Sequence, residues 1–190
     1  MRRYRPNWNA GFTMVELMVT LAVLAVLVAI ALPSFRDFAE RAWLRGAADN
    51  IASVIGTAKA ESIKRDSLVK VNFKAVGSGF CVGAAMVTTM STAGCDCSAG
   101  ACPVAVYPAN SAELHAVRLV GTPAFGSPTA DTDFVIDPKT STLADINDAG
   151  GVELDVPRGF GIKVLVNAMG RVSTCTPSGK KGLAGVDPCP

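Results

Sequence analysis

Glu16 is the one charged side chain in an apolar run of roughly twenty residues, Thr13 to Leu32, and a run of that length lets a helix cross the hydrocarbon of a bilayer. A carboxylate inside such a run is expensive without a cation, so the chemistry it invites is pairing with an amine or a guanidinium. The other reactive set is six cysteines, Cys81, Cys95, Cys97, Cys102, Cys175 and Cys189, all beyond the apolar run. On the far side of a membrane they enter an oxidising space, where disulfides are the default. Cys95 and Cys97 stand too close for an easy mutual bridge and are expected to take different partners. Six cysteines permit fifteen pairings, among which the sequence does not choose. The expectation is Cys175 with Cys189, closing a C-terminal loop, and Cys81 within the 95–102 cluster. Zinc on Cys95, Cys97 and Cys102 is the rival chemistry. That spacing matches no common zinc knuckle and the one histidine, His115, is distant, so neither a metal nor a cofactor is expected.

Catalysis finds little footing, and an enzyme is not expected. His115 falls in an alternating stretch and reads as a structural histidine, and neither a Gly-x-Ser-x-Gly elbow nor a phosphate-cradling loop is present. Asp145-Ile146-Asn147-Asp148-Ala149-Gly150 has the look of a calcium loop. However, Ala149 and Pro157 occupy the places where an oxygen ligand and the closing glutamate are required. A hairpin turn is the expectation there. Asp131 and Asp133 suggest a looser calcium site, but nothing in their spacing requires one.

The elements that position these residues are legible from periodicity. After Pro33 the helix is expected to continue, kinked by the proline. Phe35, Phe38, Ala42 and Leu44, then Ala48, Ile51, Ile55 and Ala58, recur at three-and-four spacing, with Arg36, Asp37, Glu40, Arg41 and Arg45 on the other side. That amphipathic half is expected to reach about Lys64. Val69, Val71, Phe73 and Ala75 then alternate with Lys70, Asn72 and Lys74, as in a half-buried strand. Further strands are expected at Phe80–Ala84, Val104–Tyr107, Leu114–Val120, Phe134–Ile136, Val152–Val156, Gly161–Val166 and Arg171–Cys175. Long loops are expected at Met86–Pro103 and Gly121–Asp133. The fold class is α+β: a long N-terminal helix packed on an antiparallel β-sheet head, stabilised by disulfides.

Arg2, Arg3 and Arg5 precede the apolar run and set its cytoplasmic side. The distinctive junction, Gly11-Phe12-Thr13-Met14-Val15-Glu16-Leu17, lies before the apolar segment, whereas an ordinary secretory signal is cut after it. This pattern resembles the class III signal of type IV pilins and type II secretion pseudopilins. The resemblance implies a prepilin peptidase that cuts after Gly11 and methylates Phe12. Glu16 becomes the fifth mature residue and Pro33 the twenty-second, positions where the family carries these residue types. It also implies that Glu16 pairs with the N-terminal amine of a neighbouring subunit's Phe12. Two internal stretches narrow the likeness. Ala58-Lys59-Ala60-Glu61-Ser62-Ile63, ahead of a valine-containing strand, and Met169-Gly170-Arg171-Val172-Ser173 both resemble segments of the GspH/FimT group. The middle, about Gly77 to Gly150, matches nothing recognised. Some FimT-like subunits bind DNA through a Gly-Arg-x-Arg motif. Here Ser173 replaces the second arginine, so Gly170 and Arg171 alone carry over, with Lys180 and Lys181 as further cations for weak, salt-dependent phosphate contacts.

Charge fits a structural subunit better than a globally basic nucleic-acid binder. The net charge is +2, and loss of three leader arginines leaves 15 basic against 16 acidic residues. Acids dominate from Glu113 to Asp155 and bases from Val156 onward, an asymmetry that reads either as a partner surface or as solvated faces. The expected organisation is a cleaved leader over 1–11, a membrane-spanning assembly helix over 12–33, an amphipathic continuation over 34–66 and a β-rich head over 67–190. The expected role is a GspH/FimT-type minor pilin that enters, and primes or caps, a type IV pilus. The alternatives are a type II secretion pseudopilin or a DNA-uptake subunit. Prepilin peptidase and other pilins or pseudopilins are the implied partners. The implied location is the inner membrane, single-pass with the head in the periplasm, and then the pilus or pseudopilus.

Overall fold

The computed structural model describes residues 11–77, 79–108, 114, 116–126 and 132–190. Arg2, Arg3, Arg5, Glu113, His115 and Asp131, and with them the leader, the histidine and part of the looser calcium set, lie outside the described residues. The chain forms two compact units, Met1–Phe38 and Ala39–Pro190.

Helix α1 runs Met14–Arg65. In the first unit its side chains from Met14 to Leu32 are exposed, and among the described residues α1 is the one helix long and apolar enough to cross a membrane. Phe35 and Phe38 are also exposed, at 68% and 69%. Helical backbone continues through position 33, but the Pro33 side chain, on which the expected kink rests, lies outside the described residues.

In the second unit α1 buries Leu44, Ala47, Ala48, Ile51, Val54, Ile55 and Ala58 along one stripe. The expected stripe included Ala42, which is exposed. Two residues apart on a helix point to nearly opposite sides, so Ala42 cannot share a face with Leu44. The helix stops by a left-handed cap. Asp66 takes φ 46°, its amide bonds to the Ile63 carbonyl, and the Ser67 amide bonds to the Ser62 carbonyl. This is the Schellman arrangement, with aspartate where glycine is usual.

Among the described residues eight strands follow: β1 Leu68–Val76, β2 Gly79–Val87, β3 Ala105–Tyr107, β4 Arg118–Ala124, β5 Asp133–Ile136, β6 Gly150–Asp155, β7 Gly161–Val166 and β8 Val172–Cys175. They form two antiparallel sheets rather than the single one expected, in the orders β3-β2-β1-β5 and β4-β6-β7-β8. Alternation reveals that a segment is a strand but not which strand it pairs with, and here β4 passes over β5 to pair with β6. The α1 stripe, Val69, Val71 and Phe73 of β1, Phe134 and Ile136 of β5, and Val152, Leu154, Ile162 and Val164 of β6 and β7 share one core. Phe125 sits at its centre, 5.2 Å from the Phe73 ring and 5.0 Å from the Phe134 ring.

Two expected elements differ. The strand expected from Leu114 starts at Arg118, because Leu114 opens a turn closed by the Val117 amide. It then runs on to Ala124 through a register shift, with Gly121 at φ 70° and Pro123 on an edge strand, where a missing donor is tolerated. The Asp145–Gly150 segment is a 3₁₀ turn over Ile146–Asp148, not a hairpin, and Asp145 accepts the Asn147 amide at 2.9 Å.

Candidate functional site

The first turn of α1 is built by Thr13. Its Oγ1 accepts the Glu16 amide at 3.2 Å, which satisfies one of the orphan donors of a helix start and puts Glu16 at the third helical position. Thr-x-x-Glu is the pattern of a capping box, so Thr13 was findable from the sequence although the reading above passed it over. A carboxylate in the first turn is also favoured by the helix dipole. Phe12, 85% exposed, and Glu16 thus stand together at the start of an exposed apolar stripe that carries no second charge. Among the described residues Glu16 has no ion-pair partner within its own chain.

The cysteines form a different kind of construction. Cys175 is bridged to Cys189, Cys81 to Cys97 and Cys95 to Cys102, with no free cysteine among the described residues. Cys95, Cys97 and Cys102 are therefore unavailable to zinc, and no other cluster of metal-ligating side chains occurs among the described residues. The two neighbouring bridges staple the 88–104 segment over the face of β1 and β2 that faces away from the core. Lys70, on the same face of β1, is buried and ion-pairs with Asp133 at 3.5 Å, although the alternation assigns it to solvent. Asn72 Nδ2 donates to the Cys95 carbonyl at 2.9 Å, and Lys74 Nζ lies 2.9 Å from Asp96. Asp96 caps the short 3₁₀ turn at Cys97–Ala99. The Ser98 hydroxyl, then the Lys74 ammonium and the Ser98 amide, hold its carboxyl down at about 2. Gly83 is the floor of this assembly: a Cβ there would lie 3.0 Å from Cys95 Sγ and closer still to Cys102 Sγ.

The basic residues are not brought together. Arg171 is exposed at the β7–β8 turn, while Lys180 and Lys181 lie beside Gly161 and Phe160 at the other end of β7. At the usual rise, that strand separates them by on the order of 17 Å. Lys180 is engaged by Asp155 at 2.7 Å, and Lys181 stands 5.5 Å over the Phe160 ring, which also receives Arg41 at 4.6 Å. Lys59, to which the sequence assigned no role, reaches from α1 to the β7–β8 turn. Its Nζ donates to the Met169 and Gly170 carbonyls at 3.4 and 3.3 Å, so the Ala58–Ile63 and Met169–Ser173 stretches meet in space. Gly170, at φ 65°, makes the turn. The charge asymmetry along the chain is in part internal. Asp155 pairs with Arg118 as well as Lys180, and Glu153 on β6 stands opposite Lys163 on β7.

The sequence match to known proteins falls on the N-terminal part of this arrangement. Residues 9–32 match the family model described as the prokaryotic N-terminal methylation motif. The chain is similar to a fimbrial protein of Moraxella nonliquefaciens, 41% identical over 54 residues that cover 27% of this chain and 35% of that protein. It is also similar to the type IV major pilin protein PilA of Myxococcus xanthus (strain DK1622), 34% identical over 64 residues, 34% of this chain and 29% of that protein. The chain thus matches about a third of the length of these curated relatives, and no solved structure matches it. By name these relatives are a fimbrial protein and a type IV major pilin. With an exposed apolar helix that opens on Phe12 and Glu16, this chain is type IV pilin-like in its N-terminal segment and carries the prokaryotic N-terminal methylation motif.

Proposed function

We propose that this chain is a GspH/FimT-type minor pilin, a structural subunit that enters a type IV pilus through α1. The observation that carries the proposal is Glu16, the single charge in an exposed apolar helix that begins immediately after the Gly11-Phe12 junction. Cleavage after Gly11 by a prepilin peptidase frees the amine of Phe12, which is then N-methylated and remains cationic. In the bilayer an intramembrane carboxylate costs on the order of 2–3 kcal/mol. Lipid tails are as apolar as leucine, so moving the helix from membrane to filament gains little from hydrophobicity alone. Pairing Glu16 with a neighbour's Phe12 amine removes the carboxylate's cost and sets the register of the incoming subunit.

The finer assignment rests on the Ala58–Ile63 and Gly170-Arg171-Val172 stretches and on the Lys59 clasp that joins them. The same helix would serve a type II secretion pseudopilin, and gene neighbourhood separates the two machines. DNA uptake draws no support from the basic residues, which stand apart and are partly engaged internally.

The test is mass spectrometry of sheared, purified filaments. The expected result is a chain beginning at N-methylated Phe12, present at far lower abundance than the major subunit. A chain that keeps its leader, or that never leaves the membrane fraction, overturns the proposal; abundance equal to the major subunit overturns its minor status.

A further inference from the structure

The four cysteines of the stapled segment are paired in interleaved order, Cys81 with Cys97 and Cys95 with Cys102, across 16 and 7 residues. Chain statistics do not select that pattern. Closure probability falls roughly as the −3/2 power of loop length. In an unfolded chain Cys81 therefore meets Cys95 about 1.2 times as readily as Cys97, and Cys102 meets Cys97 about 1.7 times as readily as Cys95. The consecutive pairing, Cys81–Cys95 with Cys97–Cys102, is thus favoured about twofold before folding. The third alternative needs the strained Cys95–Cys97 bridge.

What selects the native bridges exists only in the folded sheet. Cys81 is held on β2, and the Cys95–Cys102 bridge rests on the bare backbone of Gly83 two residues further on. The loop is held in place by the Asn72 bond to the Cys95 carbonyl and by the Lys74–Asp96 pair, both donors standing on β1. Thiols that oxidise before β1 and β2 pair are not guided by any of these contacts.

We propose that the head matures by disulfide isomerisation as well as oxidation, with a thiolate catalyst of thiol–disulfide exchange as its partner. Oxidation of the thiols passes two electrons and two protons per bridge to a disulfide oxidant. The rearrangement is electron-neutral. The catalyst thiolate attacks Cys97 Sγ, breaks Cys97–Cys102 and releases the Cys102 thiolate. Cys102 attacks Cys95 Sγ, forms the native bridge and releases the Cys81 thiolate. Cys81 then attacks Cys97 Sγ in the mixed disulfide and returns the catalyst thiolate. None of these steps depends on entry into a pilus.

The test uses the full chain in detergent, reduced and denatured, then diluted into diamide alone or into reduced and oxidised glutathione. After alkylation, a protease that cleaves before aspartate cuts at Asp66, Asp96 and Asp131. Cys81 and Cys95 then share one fragment and Cys97 and Cys102 the next. Native bridges hold these fragments together, whereas consecutive bridges let them part without reductant; tandem mass spectrometry identifies each bridge. With diamide, about two-thirds of the fragments should separate, and with glutathione nearly all should remain joined by native bridges. Complete native pairing with diamide alone, or no gain from glutathione, overturns the proposal. Gly83→Ala should lower the yield of Cys95–Cys102 several-fold even with glutathione; an unchanged yield overturns the selecting role of that glycine.

Discussion

Replacing Glu16 separates two jobs that its position in the structure allows. One is local: Glu16 sits in the first turn of α1, where a carboxylate gains roughly 0.3–1 kcal/mol from the helix dipole. The other is intermolecular, to pair with a neighbour's Phe12 amine. The cap itself uses the Glu16 backbone amide and the Thr13 hydroxyl, so Glu16→Gln leaves it intact and keeps the side chain's shape. Thr13→Ala does the reverse, removing a cap worth about 1 kcal/mol and sparing the charge. If pairing in the dry filament is worth about 3 kcal/mol, Glu16→Gln should lower incorporation on the order of 100-fold, whereas Thr13→Ala should lower it a few-fold at most. The assay is quantitative immunoblotting of sheared filaments against the membrane fraction, with the size of the processed chain showing that cleavage is unchanged. Normal incorporation of Glu16→Gln would refute the pairing argument. Equal loss for Thr13→Ala would show that helix capping, not charge, is what assembly requires.

Other consequences concern the head. Ser62 is fully buried and its hydroxyl has no hydrogen-bond partner among the described residues, so Ser62→Ala removes an unsatisfied group and adds helix propensity. It should stabilise the head by about 1 kcal/mol, a rise of roughly 2–4 °C in melting temperature by calorimetry; a lower melting temperature would contradict it. Asp96 has a folded-state pKa of about 2, below its ordinary 3.8. Its stabilising contribution is therefore complete above pH about 4 and lost as pH falls towards about 2. Hydrogen exchange at the Ser98 amide, which bonds to that carboxylate, should accelerate through this window in the wild type relative to the intrinsic rate, and should lose that dependence in Asp96→Asn. Finally, gel shifts with the detergent-solubilised chain should show no salt-sensitive DNA binding. A shift that weakens with salt and vanishes on Arg171→Ala would revive the nucleic-acid reading.

The parts of this protein set by local rules were open to reading from the chain. Glu16 within an apolar run, the Gly11-Phe12 junction ahead of it and the alternation of Val69, Val71 and Phe73 follow from helix length, signal polarity and the strand period, each contained in a short window. The Cys175–Cys189 bridge closes a loop of 14 residues and is similarly local. Relations between distant segments were decided only by tertiary structure. Lys70 looks solvent-facing but is buried beside Asp133, and Arg171 looks allied to Lys180 and Lys181 until β7 sets them apart. The acidic and basic segments look like a partner surface until β6 and β7 lay Glu153 opposite Lys163 and bring Asp155 to Lys180. Periodicity records which face of an element is apolar, but a pairing register depends on which other face arrives there, and no single window of sequence contains both.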